Sequence, residues 1–223
     1  MNKNSLKSVA TEVINLEINA LKILKKSINK NFDKAVNTIV NCQSKIILCG
    51  VGKSGLIAAK IASTLSSVGS PAFSLSANDC LHGDLGSITR KDILILISNS
   101  GKSEEIIPII KFANRNKVKL IGIVSKKNSF LYKGSDIKIL LPEVKESGLG
   151  VVPTSSTSIQ LAIGDALAVA ALKKKQFSKY DFSRLHPGGN LGKQLKTVGD
   201  IMATGVRIPF ISESKSMKEA IKT

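Results

Sequence analysis

The chain has 223 residues, 43% of them hydrophobic, and carries a formal net charge of +17 at pH 7. This size suits one α/β domain with some residues left over. Because no apolar run reaches membrane-spanning length and the N-terminus lacks the basic-then-apolar pattern of a signal peptide, we expect a cytoplasmic protein with no membrane partner. Three cysteines without a Cys-x-x-Cys pair argue against a disulfide or zinc framework.

The positive charge raises nucleic acid as a partner, but two features argue against it. The lysines are scattered along the whole chain, and aromatic residues make up only 4% of it, so platforms for base stacking are scarce. We therefore expect no nucleic-acid partner, whereas a positive field still attracts an anionic substrate.

The first predicted element is a helical segment, residues 4–40, that precedes the first strand. Its apolar positions, among them Val9, Leu16 and Leu24, recur at helical spacing. Because the segment lies outside the basic βαβ unit, it packs either on a partner subunit or on its own domain, and the sequence leaves both open.

After this segment, strands alternate with helices. The predicted strands cover residues 45–51, 71–76, 92–97, 119–124 and 136–141, and the predicted helices cover 54–68, 103–116 and 156–172. That alternation predicts an α/β fold with a mostly parallel sheet. The last helix is apolar nearly all round, so we expect it to be buried.

The turn after the first strand is a candidate binding loop, in which three glycines surround Lys53 and Ser54. It fails the P-loop pattern, since the position of that motif's first glycine is Ile47. It also lacks the acidic residue that follows a dinucleotide-binding turn. The interpretation that remains is a tight turn that directs the lysine and the serine into a crevice, the alternative being a solvated lysine.

The loop after residues 92–97 carries the strongest chemical signal. The hydroxyls of Ser98, Ser100 and Ser103, together with the free N–H groups at the start of a helix, suit a phosphate. Glu104 and Glu105 follow at once and would repel a phosphate, which suggests that one of them handles protons. The alternative is an ordinary helix cap with acidic residues in its first turn.

Other candidate residues lie in loops further along the chain. The two histidines, His82 and His186, both lie beside or near glycines, where backbones approach ligands closely, and neither has metal-ligand spacing. Glu146 precedes the hydroxyl-rich stretch 153–158, which caps the long helix or lines a pocket. Composition alone does not separate a functional Glu146 from a solvated loop carboxylate.

Several segments in a fixed order resemble the sugar isomerase (SIS) domain of arabinose-5-phosphate isomerases. They are GVGKSG at 50–55, HGDLGSI at 82–88, SNSGKSEEI at 98–106, PTSSTS at 153–158, GDALAVAAL at 164–172 and HPGGNLGKQL at 186–195. The resemblance implies a three-layer, flavodoxin-like α/β sandwich with a mostly parallel five-stranded sheet over residues 1–195. The tail from Asp200 resembles the opening of a CBS domain, so residues 196–223 are expected to be a linker and an incomplete CBS start.

The resemblance also implies a reaction, the interconversion of D-ribulose 5-phosphate and D-arabinose 5-phosphate through an enediol, which feeds synthesis of the lipopolysaccharide sugar Kdo. Lys53, Glu105, Glu146 and His186 match the family's four catalytic positions. One of the two carboxylates would take the carbon-bound proton, the histidine would open the sugar ring or shuttle the hydroxyl proton, and the lysine would stabilise the enediolate.

For substrate binding, the family pattern implies a phosphate held by five side chains and a sugar faced by His82. The five are Ser54, Ser98, Asn99, Ser100 and Ser103. Two positions depart from the pattern: Lys102 stands where many relatives have Glu, and Ser76 stands where some have a metal-binding His. We therefore expect a more positive phosphate loop, no metal and no cofactor.

The resemblance favours a homotetramer, because SIS domains commonly build their sites between subunits. Two alternative functions stay open. One is an isomerase of the same fold for another sugar phosphate, such as a hexulose phosphate or a phosphoheptose. The other is a sugar-phosphate-binding regulatory module without catalytic activity.

Overall fold

The computed structural model describes residues 5–187, 198–208 and 210–221. The chain divides into two compact units, the first ending at Phe177 and the second beginning at Ser178. The domain boundary expected between residues 195 and 196 lies outside the described residues.

The first unit is built around a five-stranded sheet in which every pairing is parallel. Its strands are β1 (Ile46–Gly50), β2 (Ala72–Ser76), β3 (Ile93–Ser98), β4 (Lys119–Val124) and β5 (Ile137–Leu140). Their order, β2-β1-β3-β4-β5, confirms the predicted flavodoxin-like class. β1 and β3 are buried along their whole length, as expected for central strands covered on both faces.

Helices cover both faces of this sheet and make the predicted three layers. They are α1 (Leu6–Ser27), α2 (Lys30–Val40), α3 (Lys53–Ser67), α4 (Ala77–Cys80), α5 (Ile106–Arg115), α6 (Phe130–Gly134), α7 (Gly148–Val151) and α8 (Ser155–Lys174). One core cluster joins the sheet to α1, α2, α3 and α8, and a second joins its other face to α4, α5 and α6. The cysteines, Cys42, Cys49 and Cys80, are free thiols.

The predicted helix over residues 4–40 is two helices, because the chain becomes extended at Ile28 and Asn29. Asn29 then caps α2, its side-chain oxygen accepting a hydrogen bond from the N–H of Asn31 at 2.9 Å. The apolar spacing continues across this break, and so periodicity alone does not reveal it. Of the two packing alternatives, α1 contacts α8 of its own unit.

The prediction that the apolar helix over residues 156–172 is buried is wrong in part. α8 buries one face against α1, α2 and α3, while Val169 on another face is 48% exposed. Its length and apolar composition match a membrane span, which the sequence interpretation did not anticipate, although half of its most apolar stretch is buried in the unit. Gly164 permits the close packing of α8 on α3, because a Cβ there would clash with the side chain of Ile61.

The second unit contains helix α9 (Lys179–Leu185) and two short helices, Val198–Ile201 and Met217–Ala220. Ser178 and Asp181 form a reciprocal capping box at the start of α9. Of the segment HPGGNLGKQL at 186–195, all but the first two residues lie outside the described part of the chain.

Candidate active site

The site lies where the strand order reverses. β1 pairs with β2 on one side and β3 on the other, and the helices that follow β1 and β3 pack on opposite faces of the sheet. A crevice opens at such a point, at the carboxyl ends of the strands. Gly50 pairs with Ile97, so the loops after β1 and β3 start side by side.

The loop after β1 is a tight turn that brings Lys53 and Ser54 into the first turn of α3. A Cβ at Gly55 would stand 2.8 Å from the carbonyl oxygen of Gly50, and the glycine is therefore needed for chain packing. Lys53 is exposed, whereas Ser54 is half-buried and donates its hydroxyl proton to Oε1 of Gln160, at 3.2 Å.

The loop after β3 is folded around its own polar groups. The buried hydroxyl oxygen of Ser98 accepts from the N–H of Gly101 at 2.9 Å. The hydroxyl oxygen of Ser100, which is exposed, accepts from the N–H of Lys102 at 3.3 Å. Gly101 has φ +62°, and a Cβ there would meet Ser129 Oγ at 2.5 Å. Both serine hydroxyls keep their protons free for a ligand because they act only as acceptors in these bonds.

Asn99 anchors this loop to the end of β4. Its side-chain oxygen accepts from Ser125 Oγ at 2.7 Å, and its backbone oxygen accepts from the N–H of Ser125 at 3.1 Å. The predicted phosphate-binding residue Asn99 therefore has a structural contact of its own, made by a serine that the sequence interpretation missed. Ser125 directly follows a strand at the carboxyl edge, and that position is the signal that could have found it.

Glu105 stands just before α5, which begins at Ile106, three residues later than the sequence pattern predicts. Its side chain is half-buried, whereas that of Glu104 is exposed. Within the described part of the chain, the Glu105 carboxylate has no hydrogen-bond or ion-pair partner. Its oxygens are thus available to accept a proton or a substrate hydroxyl.

Glu146, in contrast, is held by the start of α8. Its Oε2 accepts from the N–H of Thr154 at 2.9 Å, from the Thr154 hydroxyl at 3.2 Å and from the N–H of Ser156 at 3.3 Å. Burial by itself raises the pKa of Glu146, but the hydrogen bonds from Ser156 and Thr154 outweigh it and hold that pKa below its ordinary value. The ionised carboxylate takes the place of a side-chain cap at the start of α8, because Thr154 at the cap position forms no such hydrogen bond itself.

Helix α8 connects Glu146 with the turn after β1. Ser156 donates to Glu146, and Gln160, four residues later, accepts from Ser54. Residues four apart lie on one face of a helix. The first unit thus brings the loops after β1 and β3 and the segment after β5 to one edge of the sheet.

Two open cavities flank these groups. One, of about 430 Å³, lies between α1 and residues 145–150 and includes Glu146 in its lining. The other, of about 540 Å³, lies between the loops after β3, β4 and β5 and is lined by Lys102, Lys126 and Lys127. Lys126 is paired with Glu143 at 2.7 Å. The other two lysines, Lys102 and Lys127, have no ion-pair partner among the described residues.

Comparisons with known proteins agree with this geometry. The family model of the SIS domain matches residues 39–170, more than half of the chain. The chain belongs to the SIS domain family. The solved structure of c3406 from E. coli CFT073, in complex with arabinose 5-phosphate, superposes with a TM-score of 0.80 at 34% identity, covering 84% of this chain and 100% of that one.

Curated relatives extend the likeness beyond the SIS domain model. Arabinose 5-phosphate isomerase KdsD of Yersinia pestis is 42% identical over 94% of this chain and 65% of its own length. The uncharacterized protein RP505 of Rickettsia prowazekii is 38% identical over 99% of this chain and 69% of its own length. The chain thus spans about two thirds of these relatives.

The two histidines of this SIS protein stand in different units. His82 is exposed in the loop after α4, at the same edge as the crevice. His186 ends α9 in the second unit, where its ring stacks on Phe182 at 3.9 Å between centroids and its Nδ1 lies 2.8 Å from the backbone oxygen of the same residue. If Nδ1 donates to that carbonyl, Nε2 of the neutral ring is free to accept a proton.

Ser76, the position where a metal-binding histidine was considered, caps α4 by accepting from the N–H of Asp79 at 3.3 Å. Over the described ranges, no three His, Cys, Asp or Glu side chains cluster as metal ligands. The absence of a metal stays a prediction.

The sequence interpretation missed Gln160, a buried polar residue in an otherwise apolar helix. It also missed the buried hydroxyl of Ser147. This hydroxyl lacks a hydrogen-bond partner in the described structure, as does that of Ser155 in the predicted hydroxyl-rich stretch 153–158. A polar residue within an apolar run is the signal that could have found Gln160, because a buried polar group requires a partner.

Proposed function

We propose that this SIS protein is an aldose–ketose isomerase that interconverts D-ribulose 5-phosphate and D-arabinose 5-phosphate. The observation that carries the proposal is the crevice at β1 and β3, where a hydroxyl-rich loop adjoins Glu105, a carboxylate with no partner among the described residues. The 42% identity to arabinose 5-phosphate isomerases supports the choice of substrate. In this scheme the product feeds Kdo and lipopolysaccharide synthesis, and the enzyme acts in the cytoplasm, where phosphorylated sugars are retained.

The phosphate binds to the loop after β3. Ser98, Ser100 and Ser103 offer hydroxyl groups, and the free N–H groups before α5 add donors and a favourable dipole. Asn99 shapes this loop through Ser125. Ser54 reaches the same ligand from the turn after β1, and His82 faces the sugar.

Glu105 is the better candidate for the general base. An isomerisation through an enediol needs a group that removes the proton on carbon, and this group must have a free oxygen. Glu105 meets that requirement with both oxygens. In Glu146 the three hydrogen bonds to Oε2 leave at most Oε1, and its lowered pKa makes it the weaker base. In this proposal Glu146 positions the start of α8 and keeps a negative charge beside the crevice.

Lys53 and His186 complete the proposed chemistry. The exposed ammonium of Lys53, at the start of α3, stabilises the oxyanion of the enediolate. His186 opens the ring or moves the hydroxyl proton through Nε2. The proposal includes no cofactor and no metal, because these side chains supply the base, the hydroxyl-proton carrier and the positive charge that proton transfer between the two carbons needs.

We also propose that the protein works as a homotetramer. Ile14, Ile18 and Leu21 form a stripe on α1, each at least 39% exposed, while Leu24 on the same helix is buried. Apolar stripes of this kind mark interaction surfaces. Light scattering is expected to give the mass of four copies, Ile14→Glu with Ile18→Glu to give a smaller species, and the surface control Lys22→Glu to leave the mass unchanged. A monomeric wild type would contradict this proposal.

The proposed reaction is tested by offering the purified protein a panel of sugar phosphates. We expect the highest kcat/KM with D-ribulose 5-phosphate and D-arabinose 5-phosphate. Faster turnover of a hexulose 6-phosphate or sedoheptulose 7-phosphate would assign the protein to another isomerase of the same fold. Tight binding without turnover of any of them would indicate a regulatory module.

A further inference from the structure

The hydrogen bond between Ser54 and Gln160 has a consequence for ligand binding. A serine hydroxyl carries one proton, and Ser54 donates this proton to Oε1 of Gln160. In that arrangement Ser54 has only lone pairs to offer. A phosphate oxygen, which is itself an acceptor, would then gain no hydrogen bond from it.

The Gln160 side chain has the means to reverse this polarity. A primary amide presents an acceptor on one side and two donors on the other, and rotation about its last bond exchanges them. Nε2 of Gln160 has no hydrogen-bond partner among the described residues, so the rotation breaks no contact of the nitrogen. With Nε2 directed at Ser54, the amide donates to the serine oxygen, and the serine proton becomes free for the ligand.

The backbone around this pair is held firmly. Gln160 is 1% exposed, and its neighbours Ile159 and Ile163 are buried as well. Ile61 of α3 packs so closely on Gly164 of α8 that a Cβ at Gly164 would clash with its side chain, and the two helices therefore have little room to shift. The pair therefore responds to a ligand by rotating the amide and the hydroxyl rather than by moving the helices.

We propose that Gln160 is a positioning residue that sets the direction of the Ser54 hydroxyl, donating to Ser54 when an anionic sugar phosphate is bound. The inference rests on the proposed function, because it takes Ser54 to be a ligand of the substrate phosphate. Gln160 does not touch the substrate in this account. Its effect passes entirely through Ser54.

The test is a double-mutant cycle with Gln160→Glu and Ser54→Ala, read by the Kd of D-arabinose 5-phosphate in calorimetry and by KM and kcat. A carboxylate accepts only, so it keeps the serine proton. We expect Gln160→Glu to raise Kd and KM about tenfold with kcat little changed. In the Ser54→Ala background the same substitution is expected to change Kd less than about twofold.

Two further readouts separate this role from a merely structural one. Burial raises the pKa of a carboxyl group, so lowering the pH from about 8 to about 6 is expected to protonate the carboxylate introduced by Gln160→Glu. The protonated group is again a donor beside Ser54. The ratio of the Gln160→Glu Kd to the wild-type Kd should therefore fall. Gln160→Met fills the same space and leaves the Ser54 proton free, so we expect a Kd within about threefold of wild type. It also carries the test if Gln160→Glu does not fold.

Four results would overturn the inference. The first is an unchanged Kd for Gln160→Glu, and the second is a rise in Kd for this variant that is equal with and without Ser54. The third is a rise in Kd for Gln160→Met as large as the effect expected of Gln160→Glu. The fourth is a wild type that binds no sugar phosphate. A wild type that binds arabinose 5-phosphate without converting it would refute the proposed function alone, since the cycle is still read from Kd.

Discussion

Carboxylates at the two edges of the sheet differ in how many hydrogen-bond partners they have. At the amino edge, the fully buried side chain of Asp92 accepts from the N–H and hydroxyl of Thr89, at 2.6 and 2.9 Å, and pairs with Lys45 at 3.3 Å. At the carboxyl edge, Glu105 has no partner in the described structure. The satisfied carboxylate stabilises the fold, whereas the unsatisfied one is available for chemistry.

Glu146 lies between these extremes. It stands at the carboxyl edge, yet donors from Thr154 and Ser156 hold it as they would a structural carboxylate. The family resemblance alone treats Glu105 and Glu146 alike. The contrast in their partners is the reason we propose proton transfer for the first and positioning for the second.

The substitution Glu105→Gln is the strongest test of this difference between the carboxylates. Removal of a general base is expected to lower kcat about a hundredfold or more, because base catalysis contributes that much to proton transfer. The free energy of unfolding should stay within about 0.5 kcal/mol of wild type, since no hydrogen bond is lost. Steady-state kinetics and urea unfolding measure the two effects.

The exposed neighbour Glu104 supplies the control for that experiment. Glu104→Gln changes the same charge without removing the proposed base, so kcat should stay within about twofold of wild type. Near-normal turnover in Glu105→Gln would mean that the base lies elsewhere.

The reciprocal substitution at the amino edge, Asp92→Asn, should affect stability and spare catalysis. Burial opposes the charged form, but hydrogen bonds from Ser44, Thr89 and Lys45 hold the pKa of Asp92 at about 2, below the ordinary 3.8. We expect a loss of about 2 kcal/mol in the free energy of unfolding at pH 7. The loss should shrink as the pH falls from about 4 to 2, because the wild-type carboxylate is then protonated as well.

Asp136, half-exposed just before β5, is the matched site: it pairs with Lys119 at 3.3 Å and accepts the N–H of Leu120 at 2.8 Å, a bond that the amide oxygen of Asn can keep. Asp136→Asn should cost less than about 1 kcal/mol, as exposed ion pairs contribute little. Equal losses at the two sites would contradict the distinction between a buried network and a surface pair.

Glu146→Gln should give a smaller loss of stability, about 1 kcal/mol at pH 7, from weaker capping of α8. The pKa of Glu146 is lowered, and its stabilisation is complete above the ordinary value of 4.5 and is lost as the pH falls below it. Urea unfolding at neutral and acidic pH measures this window. The exposed Glu143 is the control, and a kcat loss in Glu146→Gln as large as in Glu105→Gln would show that both carboxylates transfer protons.

The smallest expected effect comes from Lys102→Glu in the loop after β3, which we propose binds the phosphate. Lys102 is exposed, so its attraction for an anionic substrate is screened by salt. We expect KM to rise about threefold at low ionic strength and less at high salt, with kcat unchanged. Lys111→Glu, on the exposed side of α5, is the control and should leave KM unchanged. An equal rise in KM for Lys111→Glu would show that the effect of Lys102→Glu comes from net charge alone.

Much of the fold could be predicted from the sequence because runs such as residues 93–98 are short, β-branched and bounded by polar turns. The break at Asn29 and the late start of α5 depend on local geometry that periodicity does not record. The candidate loops were found because they follow strands. The partners of Glu146 and Ser54 were not. Thr154 and Ser156 follow Glu146 by only eight and ten residues, but they reach it through a turn that apolar spacing does not record. Gln160 is 106 residues from Ser54 and meets it only because α8 packs on α3.

The most direct test of the central claim is the reaction of D-ribulose 5-phosphate in D₂O, followed by NMR. Proton transfer through an enediol by an enzymic base predicts D-arabinose 5-phosphate carrying deuterium at C2, and no such product from Glu105→Gln on the same time scale. A folded wild type that binds the sugar phosphate yet neither forms product nor exchanges deuterium would contradict the account.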